Sequence, residues 1–190
     1  NNTGAVDDLI LALSTGKDNP KVLHELVEMG NADYSAVITG LSNAIRQAPK
    51  VGMYYYIRGI IAEAHFNYVS ALDDFKKIAN ENLYNYHGIY KEIASCQYAL
   101  GEYEEAIYNI NYAINTSDEN SEYYVIKANI LRALGRSAEA LECCDKALSK
   151  DPNSTKAIVA KGLCLSDLCD YEQAIILFGE ATLNESNNPY

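Results

Sequence analysis

Histidine is a common zinc ligand and general base, and this chain has three, at His24, His65 and His87. They stand far apart, and none has a second ligand at the spacing of a metal site. The segment that starts at His24 resembles a zinc-protease helix only at its first two residues, because that motif requires a second histidine where Glu28 stands. The histidines therefore predict neither a metal site nor hydrolysis.

Phosphate binding and covalent catalysis are not predicted either. The segment Ser14-Thr15-Gly16-Lys17 lacks the upstream glycine spacing that lets backbone amides surround a phosphate, so it predicts a turn between helices. No serine or cysteine stands in a recognisable nucleophile motif, and the carboxylates fall at positions typical of a solvated helix surface. We therefore predict that the chain is not an enzyme and uses no cofactor and no metal.

The cysteines predict small buried thiols and not a disulfide framework. They stand at Cys96, Cys143, Cys144, Cys164 and Cys169. An odd number, an adjacent pair and no CxxC spacing are typical of reduced core residues. Reduced thiols favour a cytoplasmic, intracellular location, and the four glycosylation sequons that argue against it are expected by chance in an asparagine-rich chain.

Composition limits the classes of partner. The formal net charge of −11 excludes a general nucleic-acid binder, because phosphate contacts need Lys and Arg. It favours a basic or neutral protein partner. Hydrophobic residues make up 48% of the chain, which is enough for an ordered core, yet no stretch approaches the roughly 18 apolar residues of a membrane span. We therefore predict a folded protein that does not insert into membranes.

A short pattern recurs along the chain and reveals an internal repeat. Its clearest copy is Leu100-Gly-Glu-Tyr-Glu-Glu-Ala106. Altered copies of this pattern also end in an alanine. The closing alanines are Ala36, Ala71, Ala106, Ala140 and Ala174, which are 35, 35, 34 and 34 residues apart. Further small residues recur at Gly59, Ala94, Ala128 and Gly162, and at Ala44, Ala113, Ala147 and Ala181. Small residues at fixed spacing let neighbouring helices approach closely.

This repeat resembles the tetratricopeptide repeat family, whose units have about 34 residues and two helices. The resemblance implies an all-α, right-handed superhelical solenoid of antiparallel helix hairpins. Five units are expected over 17–188, at 17–50, 52–85, 87–120, 121–154 and 155–188, after an N-terminal helix within 1–16. That helix either caps the first hairpin or ends a preceding repeat. The first unit has one inserted residue, which leaves the register of its first helix open by one.

The periodicity places the helices within these units. First helices are expected near 19–29, 52–65, 87–99, 121–133 and 155–167, second helices near 34–47, 69–80, 103–115, 137–149 and 171–183, and an additional helix at 5–14. No polar capping helix follows the apolar segment 174–178, although repeat arrays normally have one. We therefore expect that the array continues beyond this sequence or self-associates.

The resemblance implies a protein–protein interaction scaffold that holds a peptide or protein partner in a concave groove lined by the first helices. The predicted groove residues are Tyr56, Ile60, Lys91, Ser95, Tyr98, Val125, Asn129, Arg132, Lys156 and Leu163. Tyr and Arg are the expected principal contacts, since they dominate interface hot spots. Two alternatives stay open: a self-associating oligomerisation module that uses the uncapped ends, and a regulatory or targeting arm of a larger enzyme.

Some relatives in this family bind acidic chaperone tails through a clamp of lysines and asparagines on three first helices. Lys91 and Lys156 match that clamp, whereas Ser95, Ile126 and Ala160 replace its other residues. The pattern therefore disfavours capture of an acidic tail.

The chain has sixteen tyrosines, and two runs of them, Tyr54-Tyr55-Tyr56 and Tyr123-Tyr124, stand at the starts of first helices. Tyr55, Tyr124 and Tyr171 fall at positions that join one hairpin to the next, so we expect them to be structural. Tyr54 and Tyr123 precede such positions by one residue, and we expect them at the surface.

Overall fold

The computed structural model describes residues 2–14, 20–84, 86, 88–116 and 120–187, and these form helices joined by short connections. The helices are α1 (Asn2–Ser14), α2 (Pro20–Ala32), α3 (Tyr34–Gln47), α4 (Gly52–Ala64), α5 (Tyr68–Glu81), α6 (Ile89–Ala99), α7 (Tyr103–Thr116), α8 (Ser121–Ala133), α9 (Ser137–Lys150), α10 (Thr155–Asp167) and α11 (Tyr171–Asn187). The predicted all-α class is confirmed. The turn predicted at 14–17 lies outside the described residues after Ser14.

Helix boundaries follow the sequence prediction closely, although α1 begins at Asn2 and not at 5, and the start of α6 also differs. This helix begins at Ile89, where the pattern predicted 87; His87 lies outside the described residues. The backbone amide of Ile89 donates to the carbonyl of Tyr86 at 3.1 Å, so the chain turns just before the helix. The Tyr86 ring lies so close to Gly88 that a Cβ at Gly88 would be 2.5 Å from it.

Four of the hairpins share one turn geometry. Three residues separate their helices, and the second of the three has a left-handed backbone: Phe66 (φ 60), Gly101 (φ 80), Gly135 (φ 73) and Cys169 (φ 64). Glycine adopts this conformation without steric strain, whereas Phe and Cys are disfavoured there. The α2–α3 connection differs, because Asp33 alone joins the helices and its side chain caps α3 by accepting from the amide of Ala36 at 3.1 Å.

The chain divides into two compact units, and the first comprises residues 1–100. One of its cores includes Val6 and Ile10 of α1, packed with Leu26 of α2 and Leu41 of α3. The N-terminal helix therefore covers the first hairpin. A second core is centred on Phe75, which is fully buried against Gly59. A Cβ at Gly59 would be 2.5 Å from the Phe75 ring, so the small residue is what allows α4 and α5 to approach.

The second unit comprises residues 101–190, and its core joins α8, α9 and α10. The small residues of the repeat lie at its centre: Ala128, Ala140, Ala147 and Ala160 are at most 2% exposed. In the last hairpin, Gly162 of α10 approaches the Phe178 ring of α11 in the same way as Gly59 approaches Phe75. The recurring small residues are therefore the sites of closest helix approach.

The expected environments of four single residues are wrong. Tyr54 and Tyr123 are 3% and 5% exposed, because they face into the cores and not outward. Tyr171, expected to join hairpins, is 58% exposed because α11 has no helix against that side among the described residues. Four cysteines are buried as expected, but Cys169 is exposed because it lies in the α10–α11 turn.

Candidate partner-binding groove

Two neighbouring first helices, α8 and α10, form a groove within the second unit. Their starts are fixed by side-chain caps: Asn120 accepts from the amide of Glu122 at 2.9 Å, and Ser154 accepts from the amide of Ala157 at 3.4 Å. Residues three and four apart share one face of a helix. Val125 and Asn129 therefore lie on one face of α8. Lys156, Val159 and Leu163 likewise lie on one face of α10.

The groove has a volume of about 510 Å³. It is lined by Val125, Asn129, Thr155, Lys156, Val159, Ala160 and Leu163. Val125 and Ala160 are almost completely buried and form its base, whereas Val159 and Leu163 are half-buried. The lining is therefore mostly apolar, with the Asn129 amide as a polar group that can donate and accept hydrogen bonds.

Lys156 supplies a positive charge at the edge of this groove. Its side chain is 77% exposed, and its Nζ is 3.4 Å from Glu122 Oε1. An exposed pair of this length contributes little to stability. The ammonium group is therefore available to a ligand at little energetic expense.

Arg132 lies on α8 but is already engaged within the protein. Its Nε and Nη2 donate to Asp167 Oδ2 and Oδ1 at 2.7 and 3.3 Å, and the Ser137 hydroxyl also donates to Asp167 Oδ2 at 3.1 Å. The hydrogen bonds from Arg132 hold the pKa of Asp167 below its usual value. Arg132 therefore connects α8 to the end of α10, and it is not among the groove-lining residues.

The predicted site residues of the first unit have a different environment. Tyr56 packs against Tyr84 and Tyr86 of the α5–α6 connection, with ring centroids 5.7 and 5.0 Å away, and against Phe75 at 6.2 Å. Burial, followed by the negative charge of Glu92, raises the pKa of Tyr56 far above its usual value. Tyr56 is therefore a half-buried member of an aromatic cluster.

Lys91 is paired with its own neighbour on α6. Its Nζ is 2.9 Å from Glu92 Oε2, and the two side chains are 17% and 6% exposed. Tyr86 donates from its hydroxyl to Glu92 Oε1 at 3.4 Å. This side of α6 therefore presents a closed network of polar groups and not a free positive charge.

The other three predicted residues of this unit are partly accessible. Ile60 is packed against the Phe75 core, Ser95 is half-buried, and Tyr98 is 37% exposed near the end of α6. The structure thus brings four predicted residues together around one groove, namely Val125, Asn129, Lys156 and Leu163. Val159 and Ala160 follow from the same helical spacing, whereas Thr155 was missed because it is the first residue of its helix.

The described part of the chain shows no group of metal ligands and no membrane-spanning helix. There, no three His, Cys, Asp or Glu side chains are grouped as a metal ion requires. None of the described helices is both long and apolar enough to cross a bilayer.

A tetratricopeptide repeat family model matches residues 121–154, which form α8, α9 and the connection after them. Residues 121–154 are therefore a tetratricopeptide repeat. This confirms the resemblance seen in the spacing of small residues, and it places the α8 wall of the groove within the matched repeat.

Solved structures of this repeat type share the fold. The chain is similar to MamA from Desulfovibrio magneticus RS-1, with a TM-score of 0.71 and 15% identity, over 91% of this chain and 98% of that one. It is also similar to YrrB, which is described as a TPR protein with an unusual peptide-binding site, with a TM-score of 0.66 and 15% identity, over 95% and 93% of the two chains. At this identity the likeness concerns the fold alone.

A curated relative comes from wheat. The chain is 30% identical over 110 residues to the Hsp70-Hsp90 organizing protein of Triticum aestivum, which corresponds to 52% of this chain and 19% of the relative. The chain therefore spans about a fifth of the length of that protein.

Proposed function

We propose that this chain is an interaction scaffold that holds an extended segment of a protein partner in the groove between α8 and α10. The groove itself carries the proposal, because a mostly apolar recess with a few polar groups is the usual form of a binding site. The repeat type supports it, and the peptide-binding site of the structurally similar YrrB shows that this fold can present one.

The lining predicts what the segment looks like. The Val125, Val159 and Leu163 side chains suit an apolar residue of the partner, and burial of such a residue would contribute about 1.5–3 kcal/mol. Asn129 can bond the backbone of an extended segment, whose amides and carbonyls have no internal partners. Because the chain has a net charge of −11, it favours a partner segment that is neutral or basic. The exception is the partner residue that lies beside Lys156.

Chaperone tails are a less favoured occupant. The wheat relative's name mentions Hsp70 and Hsp90, which makes an acidic chaperone tail worth testing. Such a tail needs several free positive charges, whereas Lys91 is held by Glu92 and positions 126 and 160 carry Ile and Ala. A peptide with an apolar anchor therefore fits the groove better than a run of carboxylates.

The test is selection of extended peptides from a random display library on the wild-type chain, followed by measurement of their affinity for two variants. Leu163→Glu places a charge in the groove, and Leu183→Glu is the matched change on α11, where the side chain is 64% exposed. We expect at least a tenfold loss of affinity for the first variant, which corresponds to about 1.4 kcal/mol, and little change for the second.

Circular dichroism melts of both variants check that the fold is intact. Peptides that bind both variants as tightly as wild type would exclude this groove as the binding site. An acidic tail peptide that binds better than the selected peptides would instead favour chaperone capture.

A self-associating module is the second candidate, and α11 is the observation that favours it. Tyr171, Ile175, Ile176 and Leu183 are between 56% and 69% exposed on this helix. Exposed apolar side chains that lie together mark surfaces that another helix covers. The other sequence-based predictions, a role as an arm of a larger enzyme and a cytoplasmic location, stay predictions.

A further inference from the structure

Two buried thiols face each other where the α9 and α10 helices meet. Cys144 Sγ and Cys164 Sγ are 3.8 Å apart, and both residues have no measurable exposure. A disulfide requires a distance of about 2.0 Å, so the sulfurs need to approach by about 1.8 Å. Closing this gap requires rotation of the two cysteine side chains.

The internal repeat shows that cysteine is not required for packing at these positions. Thirty-four residues earlier, Ile110 and Ile130 occupy the equivalent places on α7 and α8, and both are fully buried. Isoleucine is therefore buried at both equivalent positions within the same unit. The cysteine pair adds a chemistry that isoleucine lacks.

The two thiols are not equivalent. The hydrogen bond between the two thiols, assisted by the positive charge of Arg132 and opposed by burial, lowers the pKa of Cys164 below that of an ordinary thiol. The same bond, together with burial, raises the pKa of Cys144. Cys164 is therefore the thiol that more readily becomes a thiolate, which is the nucleophilic form.

From this geometry we infer that Cys144 and Cys164 form a reversible oxidation site, in which a small hydroperoxide converts the thiol pair into an intramolecular disulfide. The inference is independent of the peptide groove, although the disulfide fixes α10, one wall of that groove, to α9. The fully buried position selects hydrogen peroxide, which is close to water in size, over bulky oxidants.

The chemistry balances in two steps. The Cys164 thiolate attacks one peroxide oxygen, the O–O bond breaks, and hydroxide leaves with a proton as water, which gives a sulfenic acid. The Cys144 sulfur then attacks the Cys164 sulfur, the S–O bond breaks, and the Cys144 proton leaves with the hydroxide as a second water. Two thiols lose two electrons in total, peroxide gains them, and a thiol reductant reverses the reaction by disulfide exchange.

The experiment uses the whole chain, reduced and then treated with hydrogen peroxide under native conditions. Free thiols are blocked after denaturation, and the disulfides are mapped by mass spectrometry of a non-reduced digest. We expect a link between Cys144 and Cys164 that disappears on addition of dithiothreitol. Exposed Cys169 reports the general level of oxidation, and a bulky thiol reagent is expected to label it alone in the native protein.

Adjacent Cys143, also buried, supplies a matched control. Cys143→Ala is expected to keep the link, and Cys144→Ala to lose it. The linked wild type is expected to melt about 5 °C higher than the reduced protein, because a disulfide restricts the unfolded chain. The inference is overturned by a link at another pair, by no link at peroxide levels that oxidise Cys169, or by a linked protein with an unchanged melt.

Discussion

At the scale of single residues, the Arg58–Asp74 ion pair connects three helices of the first unit. Arg58 of α4 donates to both carboxylate oxygens of Asp74 on α5 at 2.6 and 2.8 Å, and to the hydroxyl of Ser42 on α3 at 2.9 Å. Its guanidinium also lies 5.8 Å from the centre of the Tyr55 ring. The Asp74 side chain is only 6% exposed, so its charge depends on this partner.

Replacement of Arg58 by Met therefore leaves a buried carboxylate without its partner. We expect the free energy of unfolding at pH 7 to fall by about 3 kcal/mol in urea titrations. Burial already raises the pKa of Asp74 in the wild type, against the opposing effect of Arg58. Without Arg58 the folded-state pKa rises further above the unfolded value, so the loss of stability is smallest below about pH 4 and grows as the pH rises through the folded-state pKa.

Lys77→Met is the matched control, because it removes the exposed ion pair with Glu81. We expect almost no change in the free energy of unfolding there, because solvent screens an exposed ion pair. Equal effects of the two substitutions, or a loss in Arg58→Met that does not depend on pH, would contradict the role assigned to the buried pair.

Arg132 shows why residue type alone does not identify a contact residue. Arginine is common at interface hot spots, yet Asp167 already binds this guanidinium. A substitution of Arg132 would weaken the α8–α10 arrangement as well as any ligand contact. Leu163, which lines the groove and has an apolar side chain with no hydrogen bond to lose, is the cleaner probe.

At the scale of the helices, the close approach of α4 and α5 depends on a glycine. In α4, Gly59 faces the fully buried Phe75 ring of α5. We expect Gly59→Ala to lower the free energy of unfolding by about 1–3 kcal/mol in denaturant titrations, because the added methyl group forces the helices or the ring to move. The gain in helix propensity offsets only part of this loss.

Gly179→Ala is the control for this prediction. Gly179 lies within α11, and a Cβ there has no neighbour within 4 Å. Helix propensity alone then acts, so we expect an increase of about 1 kcal/mol. Stabilisation by both substitutions would show that the α4–α5 contact tolerates a larger residue.

At the scale of the whole molecule, the exposed side of α11 decides between a monomer and a self-associating protein. Light scattering coupled to size exclusion, over a range of concentrations, measures the association directly. If α11 mediates it, Ile176→Lys is expected to lower the association constant at least tenfold, because a charge would be buried in the contact. The groove variant Leu163→Glu is expected to leave association unchanged.

A wild-type chain that stays monomeric at high concentration would exclude self-association through α11. The peptide proposal would be unaffected, since its groove lies on α8 and α10. The two candidate functions therefore fail independently.

The sequence alone determined the repeat and the helices. Small residues at a spacing of 34–35 mark where helices touch, and the apolar residues between them follow the helical period. Both patterns can be seen in a single amino-acid sequence. The groove residues on α8 and α10 also followed, because the spacing of residues within two regular helices fixes which of them share a face.

Only the tertiary structure decided which of these residues are available. Tyr56 was predicted to contact a ligand, but the rings of Tyr84 and Tyr86 cover it from a connection whose path no helical period specifies. Arg132 was predicted as a principal ligand contact, but Asp167 at the end of a different helix binds its guanidinium. The Cys144–Cys164 contact joins residues 20 positions apart on two helices. Such contacts depend on how separate parts of the chain pack against each other. The spacing of residues along one helix does not specify that packing.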